Sequence, residues 1–341
     1  MAKYILKRLL YMLVVWTILS FLVFAVYNML PVDKAADMAM QEIAANKHLN
    51  YAERYLYWQR KYGLDGGLVT RYLRWLGLAS FYDGGFRGLL QGNLGASVVY
   101  GKPVVQVVKE PFLNTVFLNL FVTVAALGIT MPLGIFCAAK KGSKSDLAVQ
   151  VGTIIGYSMP VFIIAILFIW FFAVKLGIFP VSGMSSVGKD YTGFRAFLDK
   201  MYHFALPLIV LTFCSLGGMT RYVRASMLDA LSLDCVRTAR AKGLKEHAVV
   251  YSHAWRNALI PVVALVIGWI LSIFSGSIMV ENIFGLNGIG KVYFDALSAN
   301  DNEIVLALQM FYVFLALVGN LLVDLAYGVV DPRIRIQNGR S

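Results

Sequence analysis

Six stretches of this sequence are apolar over about 20 consecutive residues, the length an α-helix needs to cross a ~30 Å hydrocarbon core at 1.5 Å per residue. They fall at 9–30, 112–139, 149–174, 204–222, 258–280 and 304–330. A chain with 59% hydrophobic residues and a mean hydropathy of +0.67 lies well above globular usage. Its solvent is lipid, and the pattern predicts an all-α polytopic membrane protein with about six transmembrane helices. The first run follows Lys3, Lys7 and Arg8 and is too long for a signal-peptide core of about 7–15 residues. It is expected to remain as an uncleaved first helix with a cytoplasmic N-terminus.

An even number of spans returns the C-terminus to the cytoplasm, and the distribution of positive charge tests that arrangement, because short cytoplasmic loops carry the excess of Lys and Arg. Of the 31 Lys and Arg residues, 16 fall in the segments this topology places inside, and the two short outer loops carry 4 and 1. The remainder lie in a first loop long enough to escape the rule. The net charge of +12 is therefore a matter of topology. The basic residues are spread over loops without an aromatic-interleaved stripe, so nucleic acid is not an expected partner.

The organisation read from this is an N-terminus and first transmembrane helix (1–30), an extracytoplasmic loop domain (31–111), a transmembrane core (112–330) containing a cytoplasmic loop at 221–257, and a cytoplasmic tail (331–341). The large external loop has turn signals such as Asp83-Gly84-Gly85 and one aromatic helical face, Tyr51, Tyr55, Trp58 and Tyr62. That face is expected to pack within the loop domain or at the lipid interface, and it could alternatively meet an external partner.

Chemistry-bearing motifs are sparse. Cys137 and Cys214 lie in apolar runs and Cys235 in a basic loop, which suggests neither a disulfide nor a metal pair. His48, His203, His247 and His253 have no metal-ligand spacing and read as ordinary loop residues. The stretch Gly285-Leu-Asn-Gly-Ile-Gly290-Lys291 matches a phosphate-binding loop until its last position, where Val292 replaces the required hydroxyl. It is expected to be a glycine-rich turn in an external re-entrant loop. Nothing else resembles a nucleotide site and no cofactor is expected in this chain, so if the chain takes part in ATP-driven transport, the ATP and Mg are expected on another subunit.

The most specific signal lies between the fourth and fifth spans. Val236-Arg-Thr-Ala-Arg-Ala-Lys-Gly-Leu244, followed by His253-Ala-Trp-Arg-Asn-Ala, is built to be helical, with Gly243 able to end a helix in a left-handed conformation. The small Ala239 and Ala241 would permit close approach by a partner. This stretch resembles the "EAA" loop of binding-protein-dependent ABC importer permeases, in the variant of the oligopeptide/dipeptide/nickel branch. Leu6-Lys-Arg-Leu-Leu, Glu281-Asn-Ile-Phe-Gly-Leu-Asn-Gly-Ile-Gly290 and Val330-Asp-Pro-Arg-Ile-Arg335 extend the resemblance over nearly the whole chain. Arg237 stands where the motif's Glu would be.

The resemblance implies that Thr238, Ala239, Arg240, Ala241, Lys242, Gly243 and Leu244 couple the chain to an ATPase. It further implies a second homologous permease subunit, two cytoplasmic ATPase subunits and an extracytoplasmic solute-binding protein as partners in the cell membrane. The substrate class it implies is peptide, with nickel or oligosaccharide as alternatives. No catalytic or substrate-lining residue is identified by it.

Two further features are weighed beside it. Asp324 lies in an apolar run and is expected to form a helix–helix or subunit-interface hydrogen bond. Pro132, Pro160, Pro207 and Pro261 place one proline in each of spans two to five and are expected to kink them. The reading from another class is a self-sufficient secondary transporter or channel. That reading requires membrane-embedded charges or interrupted helices in matched repeats.

Overall fold

The computed structural model describes residues 2–31 and 33–330. The tail at 331–341, with its Asp331-Pro332-Arg333 exit, lies outside the described residues. Among the described residues there is no β-strand, and an isolated bridge joins Ala96 and Pro103. The helices are α1 (Ala2–Met29), α2 (Lys34–Ala45), α3 (Tyr51–Lys61), α4 (Leu68–Leu76), α5 (Val104–Ala139), α6 (Lys144–Ser158), α7 (Val161–Phe168), α8 (Gly193–Leu231), α9 (Asp234–Ala241), α10 (Glu246–Ala248), α11 (Trp255–Ser272), α12 (Ile278–Ile283), α13 (Ile289–Ser298) and α14 (Asn302–Val330). Turns of π-helix extend α7 over Ile169–Lys175 and join α10 to α11 over Val249–Ala254.

Five helical stretches are long and apolar enough to cross a membrane: Leu6–Met29, Val104–Ala139, Gly193–Leu231, Glu246–Ser272 and Asn302–Ala326. The sixth expected span is broken. The segments Lys144–Ser158 and Val161–Lys175 meet at 104°, so the apolar run at 149–174 is not one continuous helix. Its sequence explains the break. Proline removes an N–H and disfavours the α region for the residue before it, and Met159 is accordingly extended, with φ −85° and ψ 138°. Pro132, Pro207 and Pro261 lie inside continuous helices, as does Pro111, which the sequence had placed at the end of a loop.

The helices outrun the apolar stretches that mark them. At 1.5 Å per residue, α5 with 36 residues and α8 with 39 exceed a ~30 Å hydrocarbon core by roughly 20–30 Å. Their ends therefore stand outside the apolar layer.

The chain forms two compact units, one from the chain up to Glu110 together with Val292–Leu317, the other from Pro111–Lys291 together with the chain from Val318 onward. The loop that follows α1 shares its unit with α1 and the first half of α14. In that first unit Phe24, Tyr72, Leu76 and Leu306 form one small core, and the Ser20 and Tyr72 hydroxyls meet at 2.7 Å. Ala35, Ala39 and Trp58 form another, which buries part of the aromatic face of α3 against α2. Asp33 caps α2 by accepting from the Ala35 and Ala36 N–H groups. The loop is pinned to the start of α14 by Lys34 with Glu303 at 2.5 Å, and by the Ser97 hydroxyl and Val99 N–H, which donate to Asp301.

In the second unit α5 and α8 each contribute to two cores. Leu118 and Val122 of α5 pack with Phe204, Leu206 and Val210 of α8 in one. Ile135 and Ala138 pack with Met219, Val223, Met227 and Ala230 in the other. The second core holds the candidate site.

Candidate functional site

Helix α8 runs without a break from the span into the loop at 221–257. After a turn at Ser232 and Leu233 the chain re-forms as α9, stops at Gly243, and returns through α10 and the π-helical turns into α11. The stop is a paired C-terminal cap. Gly243 has φ +77°, its N–H donates to the Arg240 carbonyl at 2.9 Å, and the Leu244 N–H donates to the Ala239 carbonyl at 3.4 Å. Only glycine takes that backbone conformation without a steric cost.

The loop folds back on its own chain. Val236 and Ala239 of α9 are buried against Ala230, Val249, Val250, Ala254 and Ala258, while Ala241 is exposed. Ala239 belongs to the chain's own core, because residues three apart share a helix face. The opposite face is exposed and carries Arg237, Thr238, Arg240, Ala241, Lys242, Gly243 and Leu244. Arg240 is steadied by Glu246 at 2.7 and 3.2 Å. Arg237, at the position where the resemblance departs from its motif, lies 3.5 Å from Asp234 with its side chain 72% exposed. Such a pair contributes little on its own and leaves the guanidinium presented to solvent.

Three buried acids, Asp146, Glu281 and Asp301, were not singled out by sequence, and the first two lie in the second unit. Asp146, 1% exposed, accepts from Arg224 through Nε at 2.9 Å and Nη2 at 2.8 Å, from the Gly142 N–H at 3.0 Å and from Gln150 at 2.8 Å. It joins the turn after α5 to α8, two segments that the charge rule assigns to the same side of the membrane. A Ser143-x-x-Asp146 capping pattern, with Ser143 accepting from the Asp146 N–H at 3.2 Å, was the available signal.

Glu281, 2% exposed, explains the false phosphate loop. The glycine-rich turn surrounds an anion, and that anion belongs to the chain. The Lys291 N–H donates to its Oε2 at 2.8 Å, and the Thr115 hydroxyl and Ser277 N–H donate to Oε1 at 2.9 and 3.3 Å. Thr115 in turn accepts from the Ile289 N–H at 2.9 Å, which fixes the direction of its own proton. A Cβ on Gly288 would sit on the Glu281 carboxyl group, and one on Gly290 would lie 2.9 Å from Oε2. Burial pushes the Glu281 carboxyl above the ordinary carboxylate range, opposed by these donors. Nearby, Asn114 donates to the Asn287 carbonyl at 2.9 Å and accepts from Lys200 at 2.7 Å.

The remaining singled-out residues fall as follows. His203 is not in a loop but buried in α8, with Nδ1 3.1 Å from the Gly183 carbonyl. His247 and His253 are also helical, and His48 alone lies in a loop. Asp324 is half-buried in α14.

Against this geometry, residues 130–336 match the family described as binding-protein-dependent transport system inner membrane component. The chain belongs to that family. The oligopeptide transport system permease protein AppB of Bacillus subtilis is 34% identical over 335 residues, covering 98% of this chain and 99% of that protein. The dipeptide transport system permease protein DppB of Escherichia coli K12 is 32% identical over 353 residues, with 98% and 99% covered. An inward-facing structure of the MetNI methionine ABC transporter is 18% identical, covers 68% of this chain and 96% of its own, and has a TM-score of 0.48. As an inner membrane component of such an importer, the chain is a multi-pass permease subunit rather than the unit expected to carry catalysis. The matched region contains both the exposed face of α9 and the Glu281 turn.

Proposed function

We propose that this permease subunit imports peptides, driven by ATP hydrolysed on partner subunits, and that the exposed face of α9 with its Gly243 cap is where the ATPase acts. The complex would hold a second homologous permease, two cytoplasmic ATPase subunits that bind ATP and Mg, and an extracytoplasmic solute-binding protein. Peptide as substrate is supported by the names of relatives that match it end to end. Both termini and the loop at 221–257 would face the cytoplasm, and the loop at 31–111 would face outward.

One observation carries the coupling role. The segment Thr238 to Leu244 is basic and exposed on one side and rooted on the other by Val236 and Ala239 in a core built from α5, α8 and α11. A push on the exposed side reaches the spans through close-packed side chains, which transmit displacement because protein interiors compress little. The rival reading, a self-sufficient secondary transporter, calls for interrupted helices in matched repeats. Among the described residues a single helix pair is bent in this way.

The test begins with the subunit gently solubilised from its native membrane. It should co-purify with a second permease and with ATPase activity, whereas purification alone in a detergent that preserves membrane complexes would favour the rival. Replacing Gly243 with Trp then examines the loop. A Cβ at Gly243 meets open space but strains the left-handed backbone of the cap, so Gly243→Ala, which carries the strain without the bulk, is compared with the Trp variant, and a loss specific to Trp reports the bulk pointing outward. Uptake should fall while the subunit still inserts and assembles, and unimpaired uptake would remove the loop from the mechanism.

A further inference from the structure

The contact between α6 and α8 is the most extensive helix pairing in the second unit, and at its middle the two backbones come close. A Cβ on Gly217 of α8 would fall on the Thr153 carbonyl and lie 2.5 Å from Tyr157 Cβ, and one on Gly156 of α6 would lie 2.8 Å from the Phe213 carbonyl. The two backbones therefore touch at Gly156 and Gly217, which offer no side chain of their own to fix the register there, and the Arg221 guanidinium of α8 lies 4.8 Å from the centre of the Tyr157 ring of α6. Packed helices slide past one another in domain motions.

At one end of that seam sits the Asp146–Arg224 pair. The carboxylate is fully engaged, with both oxygens accepting from the planar guanidinium and one further donor each from Gly142 and Gln150. A buried ion pair is a poor source of stability, since desolvating two charges offsets most of their attraction, and its best attested use is to fix register. A bidentate fork does this well, because it tolerates neither translation nor rotation of one partner past the other. Arg224 lies two turns of α8 before the point where that helix ends and α9 begins, and α9 is held to the same stretch of α8 through Met227 and Ala230. Past the other end of α6 is the 104° break at Pro160.

We infer that Asp146 and Arg224 are positioning residues for coupling, locking α6 to α8 so that movement of α9 is delivered to the broken third span instead of being lost as slippage along the α6–α8 seam. This inference rests on the reading of α9 as the site of ATPase action. Their side chains are engaged with each other, and their effect is carried through the register of two helices. The Gly134 contact of α5 with Val223 and the Thr220 carbonyl brings α5 into the same locked group.

The experiment uses the whole complex reconstituted into proteoliposomes, with a ¹³C-labelled casein hydrolysate as the peptide probe and imported peptides counted by mass spectrometry per ATP hydrolysed. Asp146→Asn and Arg224→Lys, which keep volume or charge but break the fork, should lower peptide imported per ATP about tenfold, within the usual range of coupling between sites. The exchanged pair Asp146→Arg with Arg224→Asp should recover part of that loss. A merely structural role would reduce the amount of assembled complex and leave peptide per ATP unchanged. That result for Arg224→Lys, the milder variant, overturns the inference even if Asp146→Asn does not assemble. Wild-type complex whose peptide uptake shows no dependence on ATP would instead defeat the underlying reading, and the positioning role with it.

Discussion

At the scale of single residues, the Glu281 turn shows how a sequence pattern can name the right physics and the wrong ligand. Glycines at 285, 288 and 290 before a lysine describe a backbone that turns its N–H groups toward an anion. Here the anion is a side chain four residues before the first of those glycines, and the glycines are needed because side chains at 288 and 290 would occupy its space. The donors around it make a clear expectation. Glu281→Gln converts one acceptor oxygen into an amide donor facing N–H or O–H groups, and should destabilise the subunit by about 1–3 kcal/mol. A lowered melting temperature of the complex in lipid nanodiscs would register it, and an unchanged one would mean the carboxylate is not what orders the turn. Ser277 and Lys291 are local partners of Glu281, but Thr115, 166 residues away, could not have been read from spacing.

Among elements, the α6–α8 pair offers the sharpest contrast between glycines. Gly217→Ala adds a carbon where the opposing helix is backbone, and backbone cannot rotate aside as a long side chain can. Overpacking of this kind costs about 1–3 kcal/mol. Gly152→Ala, in the same α6 but open to space within 4 Å, replaces a poor helix former by the best one and should leave stability unchanged or raised by up to about 1 kcal/mol. Thermal unfolding of the two variants side by side checks the prediction, and equal behaviour would mean that the two helices do not pack through Gly217. The helix stop at Gly243 was legible in the sequence because it depends on one residue's conformational freedom. The inward orientation of Ala239 was not, because alanine suits a buried and an exposed position equally and the two-turn helix α9 has little pattern to decide between them.

For the whole molecule, the assignment of sides can be tested with reagents that do not cross membranes. Cys235 is exposed at the start of α9, and Val187 is 99% exposed in the segment between the π-helical end of α7 and α8. A thiol-reactive polyethylene glycol should modify Val187→Cys in intact cells, and Cys235 only after the membrane is opened. The reverse pattern would invert the topology read from the Lys and Arg distribution. The sequence by itself determined that the chain is a helical, multi-pass membrane protein and which family it resembles, although the run at 258–280 is interrupted where α11 ends at Ser272 and α12 begins at Ile278. These follow from composition over windows of about 20 residues and from a contiguous motif, both of which are local. Pro160 made a break in the third run legible, whereas tertiary structure decided the 104° angle between its halves, that the loop at 31–111 shares a compact unit with α1 and part of α14, and that Asp146 and Glu281 are buried against Arg224 and Thr115. The contacts that bury these two acids join residues 78 and 166 positions apart, and no local window of sequence holds that information.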